Sequence, residues 1–247
     1  MKRLVIGMIA HVDSGKTTLS EAMLYSAGEI RKLGRVDHGD AFLDTHSIER
    51  SRGITVFSKQ AVMRYGDCDI TLLDTPGHAD FSAETERALQ ALDYAVLVIS
   101  GTDGVQSHTE TLWRLLTRYR IPAFIFVNKM DITEKTHIEL LEDIKENLAI
   151  EPLDILGDKE WIENAASLDE VLLEKYLEEG ELSKEDIGAL ISELKASLVV
   201  FGSARELNGV EELLSLIEEY IQPKARRAEF GAKVYKIGRD SKGKRIT

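Results

Sequence analysis

The sequence has only one cysteine, Cys68, among its 247 residues, and this scarcity excludes an intrachain disulfide. It also lacks an apolar run that approaches the roughly 20 residues of a membrane-spanning helix. The opening residues, MKRLVIGMIA, lead directly into a polar, glycine-containing stretch, which is not typical of a signal peptide. We therefore expect a cytoplasmic protein without a membrane partner.

Positive charge is in short supply, because 31 lysine and arginine residues face 43 aspartate and glutamate residues and leave a formal net charge of -12. This balance speaks against indiscriminate binding to nucleic acid, so we expect no DNA partner. A ribonucleoprotein partner remains compatible with it if a few local groups make the contact. The hydrophobic content of 43% supports a sizeable core, and we expect a monomer.

Continuous apolar runs, typical of strands that are covered on both faces, recur along the chain. Helix-like stretches such as KTTLSEAMLYSA and TETLWRLLTRY separate most of them. The alternation predicts an α/β fold with a mostly parallel central sheet and helices on both faces. ITVFSKQAVMRY and the run after it predict an antiparallel hairpin. The apolar runs are Leu4–Ala10, Asp69–Asp74, Tyr94–Ser100, Ala123–Asn128 and Leu198–Gly202.

The domain organisation follows from two stretches that do not fit a minimal α/β unit. An acidic segment at about 151–197 predicts a helical insertion, in which SLDE at Ser167 offers a capping box to the following helix. Residues 1–222 would form the main domain. Residues 223–247 would be a linker and the truncated start of a β domain, so we expect a piece of a longer protein.

The stretch AHVDSGKTT, residues 10–18, follows the first apolar run and ends as a phosphate-binding loop does. Gly15 lets the backbone approach phosphates, Lys16 reaches the β- and γ-phosphates, and the Thr17 hydroxyl binds Mg²⁺. The first position of the pattern is Ala10 rather than glycine, which is tolerable where the turn needs only a small residue. Taken alone, the Gly-Lys-Thr could also be a chance match.

Four further segments, RGIT, DTPGH, NKMD and GSA, follow in order, and the last three come directly after buried strands. Ligands of open α/β sheets bind at the carboxyl ends of the strands, so these segments are expected at one edge. Each has an ordinary alternative: RGIT as a strand start, DTPGH and GSA as turns, and NKMD as a solvated strand exit. Their joint occurrence in this order favours a nucleotide site.

The base is indicated by NKMD, residues 128–131. The Asp131 carboxylate can accept hydrogen bonds from guanine N1–H and the 2-amino group, whereas adenine would leave it unpaired. Asn128 can shape the pocket and bond the base, and the Lys129 stem can cover its face. The predicted ligand is therefore GTP or GDP.

With these residues together, the set AHVDSGKTT, RGIT, DTPGH, NKMD and GSA resembles the G domain of translational GTPases of the elongation factor G type. The insertion and the GRVDHGD…ERSRGIT stretch are most similar to ribosomal-protection tetracycline-resistance proteins. The resemblance implies a P-loop GTPase G domain followed by a β-barrel domain. It also implies Mg²⁺, GTP hydrolysis, and action of the full-length protein on the ribosome, with protection against tetracycline as the expected task.

Carried over to this chain, the resemblance implies that Thr17 and Thr55 bind Mg²⁺ directly and that Asp74 acts through water. Gly77 would sense the γ-phosphate, and His78 would be the catalytic residue that orients the attacking water. The implied nucleotide-binding residues are Ala10, His11, Val12, Asp13, Ser14, Gly15, Lys16, Thr17, Thr18, Asp74, Thr75, Pro76, Gly77, His78, Asn128, Lys129, Met130, Asp131, Ser203 and Ala204.

Other functions remain open at this point. Within the resembled family, translocation like that of elongation factor G is the alternative to drug release. A GTP-dependent binding switch that does not hydrolyse is a second alternative, against which His78 speaks. A P-loop kinase or metabolic ATPase would lack NKMD and is disfavoured.

Overall fold

The computed structural model describes residues 1–34, 59–75, 82–157, 159–222, 237–239 and 244–246. Within this part of the chain, seven strands form one sheet, and a separate pair of two-residue strands follows. The sheet strands are β1 Lys2–Ala10, β2 Lys59–Tyr65, β3 Cys68–Asp74, β4 Tyr94–Ser100, β5 Ala123–Asn128, β6 Glu151–Leu153 and β7 Ala196–Phe201; the pair is β8 Gly238–Arg239 and β9 Arg245–Ile246.

Helices separate most of these strands, as the apolar periodicity predicts. In chain order they are α1 Lys16–Ser26, α2 Ser82–Leu89, α3 Ser107–Tyr119, α4 His137–Leu148, α5 Glu160–Ala166, α6 Glu170–Glu179, α7 Lys184–Ser192 and α8 Val210–Tyr220. None of the helices in the described ranges is long and apolar enough to cross a membrane.

The strand order across the sheet is β2-β3-β1-β4-β5-β7-β6. Every neighbouring pair in it is parallel except β2 and β3, which form the predicted antiparallel hairpin. The predicted α/β fold with a mostly parallel sheet is therefore confirmed. Because the strands run parallel, the carboxyl ends of β1, β3, β4, β5 and β7 share one edge of the sheet.

Two apolar layers cover the two faces of the sheet and explain why its central strands are apolar throughout. On one face α1, α7 and α8 bury residues such as Leu19, Ile187 and Leu213 in one cluster with residues of β1, β4 and β7. On the other face α3 and α4 bury residues such as Trp113 and Ile144 against β4 and β5. Every residue of β4 and β5 is buried, as expected for strands with helices on both sides.

The segment predicted as a helical insertion contains α5, α6 and α7 but differs from the prediction at three points. Glu151–Leu153 is an edge strand, and β7 already begins at Ala196. The capping box predicted at Ser167 is wrong, because the Ser167 hydroxyl donates to the Glu163 carbonyl of the preceding helix. Asp169 caps α6 instead, accepting a hydrogen bond from the Val171 amide.

Candidate functional site

The phosphate loop connects the carboxyl end of β1 to the first turn of α1. Gly15 has φ 88°, a left-handed conformation that favours glycine, and a Cβ there would lie 2.2 Å from the Nδ2 atom of Asn128. Both the backbone conformation and the space therefore require glycine. The approach of this backbone to phosphates stays a prediction.

The N-terminus of α1 lies at this loop. Gly15 provides no side-chain cap for the helix, and the first turn carries no acidic residue. The N–H groups at a helix N-terminus, together with the helix dipole, favour an anion. In the same loop Asp13 is exposed with φ 60°, and Ser14 is buried.

The buried side chains of Lys16 and Asp74 and the half-buried side chain of Thr17 form a polar cluster at the phosphate loop. Lys16 donates a hydrogen bond from Nζ to Oδ1 of Asp74, and their side chains are 7% and 1% exposed. The Thr17 hydroxyl donates to the other carboxylate oxygen at 3.3 Å. Residues from β3 and α1 that are 57 and 58 positions apart thus meet at one point.

The donor atoms of this cluster suit a divalent cation. A hydroxyl and a carboxylate are hard oxygen ligands of the kind that Mg²⁺ prefers, and Mg²⁺ usually takes only one or two protein ligands beside phosphate and water. Thr17 and Asp74 therefore fit such an ion. Thr55, the third predicted ligand, lies outside the described residues.

Asn128 joins three loops at the edge of the sheet. Its Nδ2 group donates to the Ser14 carbonyl at 2.9 Å, and its Oδ1 atom accepts from the Ala204 amide at 2.9 Å. The side chain is 4% exposed, so these hydrogen bonds are shielded from water. The described contacts of Asn128 thus hold the phosphate loop against the GSA loop, while its predicted bond to the base stays a prediction.

The rest of the NKMD turn lies against the same loop. Lys129 has φ 66°, and the Met130 amide donates to the Gly202 carbonyl at 3.0 Å. The Asp131 side chain is exposed at the end of this turn. Ser203 and Ala204, which follow β7, are buried beside Asn128.

Other predicted residues are less directly connected to this cluster. Thr75 is fully buried, and its hydroxyl donates to the Met8 carbonyl of β1 at 2.7 Å. The His11 ring packs edge-to-face against the His108 ring with centroids 5.7 Å apart. The buried Nδ1 atom of His11 has no hydrogen-bond partner among the described residues. Pro76, Gly77 and His78 lie outside the described ranges.

Gly101, which follows β4, is a site residue that the sequence interpretation missed. Its amide donates to the Asn128 carbonyl at 2.7 Å, and a Cβ on it would lie 2.9 Å from Met130 Sδ. A Cβ would also lie 3.1 Å from the Asn128 carbonyl, so a larger residue would require a small shift of the NKMD turn. A single glycine after a strand gives no sequence signal for this contact.

A negative charge lies in the same loop after β4. A hydrogen bond from the Ser100 hydroxyl, helped by Thr102, holds the pKa of Asp103 below its ordinary value of 3.8. The nearby positive charge of Lys129 acts in the same direction. Asp103 is therefore ionised at neutral pH beside the turn that carries Asp131.

Comparison of the chain with known proteins identifies its family. A family model described as the elongation factor Tu GTP binding domain matches residues 1–223. The chain is 36% identical to tetracycline resistance protein TetP of Clostridium perfringens, over 99% of the chain and 42% of that relative. It is 33% identical to elongation factor G 2 of Geobacter metallireducens, over 87% of the chain and 39% of the relative.

Two further matches agree with these. Tetracycline resistance protein TetS of Listeria monocytogenes is 38% identical over 88% of the chain and 36% of its own length. A crystal structure of a protein from Thermus thermophilus superposes with a TM-score of 0.81 at 28% identity, over 90% of this chain and 40% of that one. The chain thus spans between 36% and 42% of the length of these curated relatives.

Proposed function

The chain belongs to the elongation factor Tu GTP-binding domain family and is a translational GTPase domain, and we propose from that premise that the whole protein protects the ribosome against tetracycline. The observation that carries the finer proposal is the 36% identity to a tetracycline resistance protein along 99% of the chain. Whether the protein protects against tetracycline or acts in translocation is a property of the whole protein. This chain spans less than half of the length of its relatives.

The nucleotide would bind across the carboxyl edge of the sheet. The phosphates would lie on the amides of the loop from Ala10 to Thr18, with Lys16 neutralising the β- and γ-phosphates. The base would lie between the NKMD turn and the GSA loop, where Asp131 accepts hydrogen bonds from guanine. This arrangement is supported by the link that Asn128 makes between Ser14 and Ala204.

Magnesium is part of the proposal, because Thr17 and Asp74 offer suitable oxygen atoms. Thr17 and Thr55 would bind it directly, and Asp74 would hold it through water. The ion would neutralise charge on the phosphates. Lys16, which contacts the Asp74 carboxylate, would then share its positive charge between that carboxylate and the nucleotide.

In the proposed reaction, water attacks the γ-phosphorus and the bond to the β–γ bridging oxygen breaks, giving GDP and phosphate. Gly77 would contact the γ-phosphate through its backbone amide, and His78 would orient the attacking water. Catalysis of this kind consists largely of positioning and charge stabilisation. Because the family consists of GTPases, we do not retain the non-hydrolysing switch.

The second candidate is translocation, favoured by the 33% identity to elongation factor G 2. In either case we propose that the protein acts on the ribosome as a cytoplasmic monomer, with no DNA or membrane partner. We also propose that residues 1–222 form the G domain and that residues 223–247 lead into a β-barrel domain. The insertion predicted at about 151–197 would be the helical segment between β6 and β7.

The test is growth of tetracycline-sensitive bacteria that express the full-length protein. The proposal predicts growth at raised tetracycline concentrations, and loss of that growth in the full-length His78→Ala variant at equal expression. Rescue of a translocation-deficient extract without drug protection would favour the second candidate. If the protein gives no drug protection and no rescue of translocation, both candidate functions are contradicted.

A further inference from the structure

We propose that Thr133, two residues beyond the NKMD turn, is a positioning residue that sets the selectivity of Asp131 for the guanine base. The inference rests on the proposed guanine site and goes beyond it. No motif includes Thr133, and its sequence neighbourhood, Ile132 and Glu134, gives no functional signal.

The argument starts from Gly101, which contacts the NKMD turn at both ends. Its amide donates to the carbonyl of Asn128 at 2.7 Å, where the turn begins. Its carbonyl accepts a hydrogen bond from the Thr133 hydroxyl at 2.8 Å, just past the point where the turn ends. Gly101 is therefore hydrogen-bonded to residues on both sides of Asp131 in the sequence.

The Thr133 hydroxyl is engaged on both sides. Besides donating to Gly101, it accepts a hydrogen bond from the Lys135 amide at 3.2 Å. Its methyl group lies 3.5 Å from the position that a Cβ on Gly101 would take, which is ordinary van der Waals contact. The half-buried side chain thus fixes the backbone that leaves Asp131 and enters α4.

Asp131 depends on this support because its own side chain is exposed. Its position is set by a turn in which Lys129 takes the left-handed conformation and the Ile132 amide donates to the Lys129 carbonyl at 3.2 Å. The Met130 amide holds one side of the turn through Gly202, and Thr133 holds the other through Gly101. Loss of the Thr133 hydroxyl would remove the hydrogen bond that holds the chain after Asp131 to Gly101.

A loosened carboxylate loses selectivity as well as affinity. Guanine offers Asp131 two donors, N1–H and the 2-amino group, whereas hypoxanthine offers N1–H alone. A two-point contact needs a more precise carboxylate position than a one-point contact. Weakening the support should therefore lower the affinity for GDP more than the affinity for inosine diphosphate.

The experiment compares Thr133→Val with the unmodified chain in titrations with GDP and inosine diphosphate. We expect GDP affinity to fall about threefold to tenfold, the effect of one lost hydrogen bond, and the ratio of GDP to inosine diphosphate affinity to fall with it. Thr133→Ser, which keeps the hydroxyl, should restore both quantities.

Thr117→Val is the matched control, because the Thr117 hydroxyl also donates to a backbone carbonyl, that of Trp113, within α3. It should leave both affinities unchanged. If Thr133→Val lowers both affinities by the same factor, or neither, the inference is wrong while the guanine site stands. If the unmodified chain binds ADP as tightly as GDP, the proposed site itself fails.

Discussion

The side-chain amide of Asn128, at the end of β5, donates to the carbonyl of Ser14 in the phosphate loop, 114 residues earlier in the chain. The same amide group accepts, through its oxygen, from Ala204 after β7. One buried side chain therefore links the loop expected to hold the phosphates to the loop expected to hold the base. We therefore expect Asn128 to couple binding of the phosphates to binding of the base.

Replacing Asn128 by alanine should destabilise the chain even without nucleotide. The buried Ser14 carbonyl and Ala204 amide would lose their partner, and each such group costs about 1–3 kcal/mol. We expect the free energy of unfolding, measured by urea denaturation, to fall by about 2–4 kcal/mol.

The control for Asn128→Ala is Asn147→Ala on the exposed face of α4. Its Nδ2 group also makes two hydrogen bonds, to the backbone and side chain of Asp143, but in water. This change should cost about 0.5 kcal/mol or less. An equal cost for the two variants would contradict the buried role of Asn128.

Gly15→Ala should abolish nucleotide binding, because the added methyl group would collide with the Asn128 side chain. Gly28→Ala is the matched control: Gly28 is also left-handed, at φ 77°, but nothing lies within 4 Å of the added atom. The control should cost about 1 kcal/mol of stability and leave GDP affinity unchanged. Equal GDP affinity in the two variants would show that the close contact does not matter.

The sequence predicts the strands well and the contacts between loops poorly. The bounds predicted for β4 and β5 match the structure because these strands are continuous apolar runs. Asp74 and Asn128 end β3 and β5, and Ser203 follows β7, so the parallel arrangement of these strands places all three at one edge of the sheet. The links from Gly101 and from Asn128 to neighbouring loops could not be predicted, since they depend on how separate loops approach.

The capping error has a local physical cause. Ser167 and Asp169 are both good cap residues, and sequence patterns do not decide between them. In the structure the Ser167 hydroxyl bonds back to Glu163 at the end of α5, so that Asp169 is left to begin α6. The SLDE motif does not show whether the Ser167 side chain will bond to the end of α5 or to the start of α6.

Lys16 and Asp74 should show strong energetic coupling in the absence of nucleotide. Lys16→Met removes the hydrogen-bonded ammonium group beside the buried Asp74 carboxylate and should cost about 3 kcal/mol in urea denaturation. Adding Asp74→Asn should recover at least about 1 kcal/mol of that loss, because the buried charge is removed.

The half-buried pair Lys195 and Asp169, joined at 2.8 Å with side chains 37% and 32% exposed, is the more solvent-accessible control for this cycle. Solvent screens that pair, so Lys195→Met and Asp169→Asn should be close to additive. Additive effects at Lys16 and Asp74 as well would mean that burial does not strengthen their interaction.

We expect Asp186 to make the stability of the insertion depend on pH in the acidic range. Burial raises the pKa of Asp186, but hydrogen bonds from Lys175 and Ser183 outweigh it and leave that pKa below 3.8. A carboxylate whose pKa is lowered by folding stabilises the fold at pH values above its pKa in the unfolded chain. This stabilisation is lost as the pH falls through its pKa in the folded chain. We expect Asp186→Asn to lower the unfolding temperature at pH 7.

The difference between Asp186→Asn and the unmodified chain should shrink as the pH falls below 3.8, the ordinary pKa of this group. Glu178→Gln, on the exposed surface of α6, should change the unfolding temperature little at either pH. A difference in unfolding temperature that grows as the pH falls would contradict a lowered pKa of Asp186 in the folded chain.

Recognition of guanine by Asp131 can be measured by competition between GDP and ADP for the chain, followed by displacement of a fluorescent guanine nucleotide. A guanine-reading Asp131 predicts GDP affinity at least about a hundredfold above that of ADP. It also predicts that Asp131→Asn shifts the preference to xanthosine diphosphate, whose extra carbonyl suits an amide donor. Equal affinity of the unmodified chain for GDP and ADP would contradict the account.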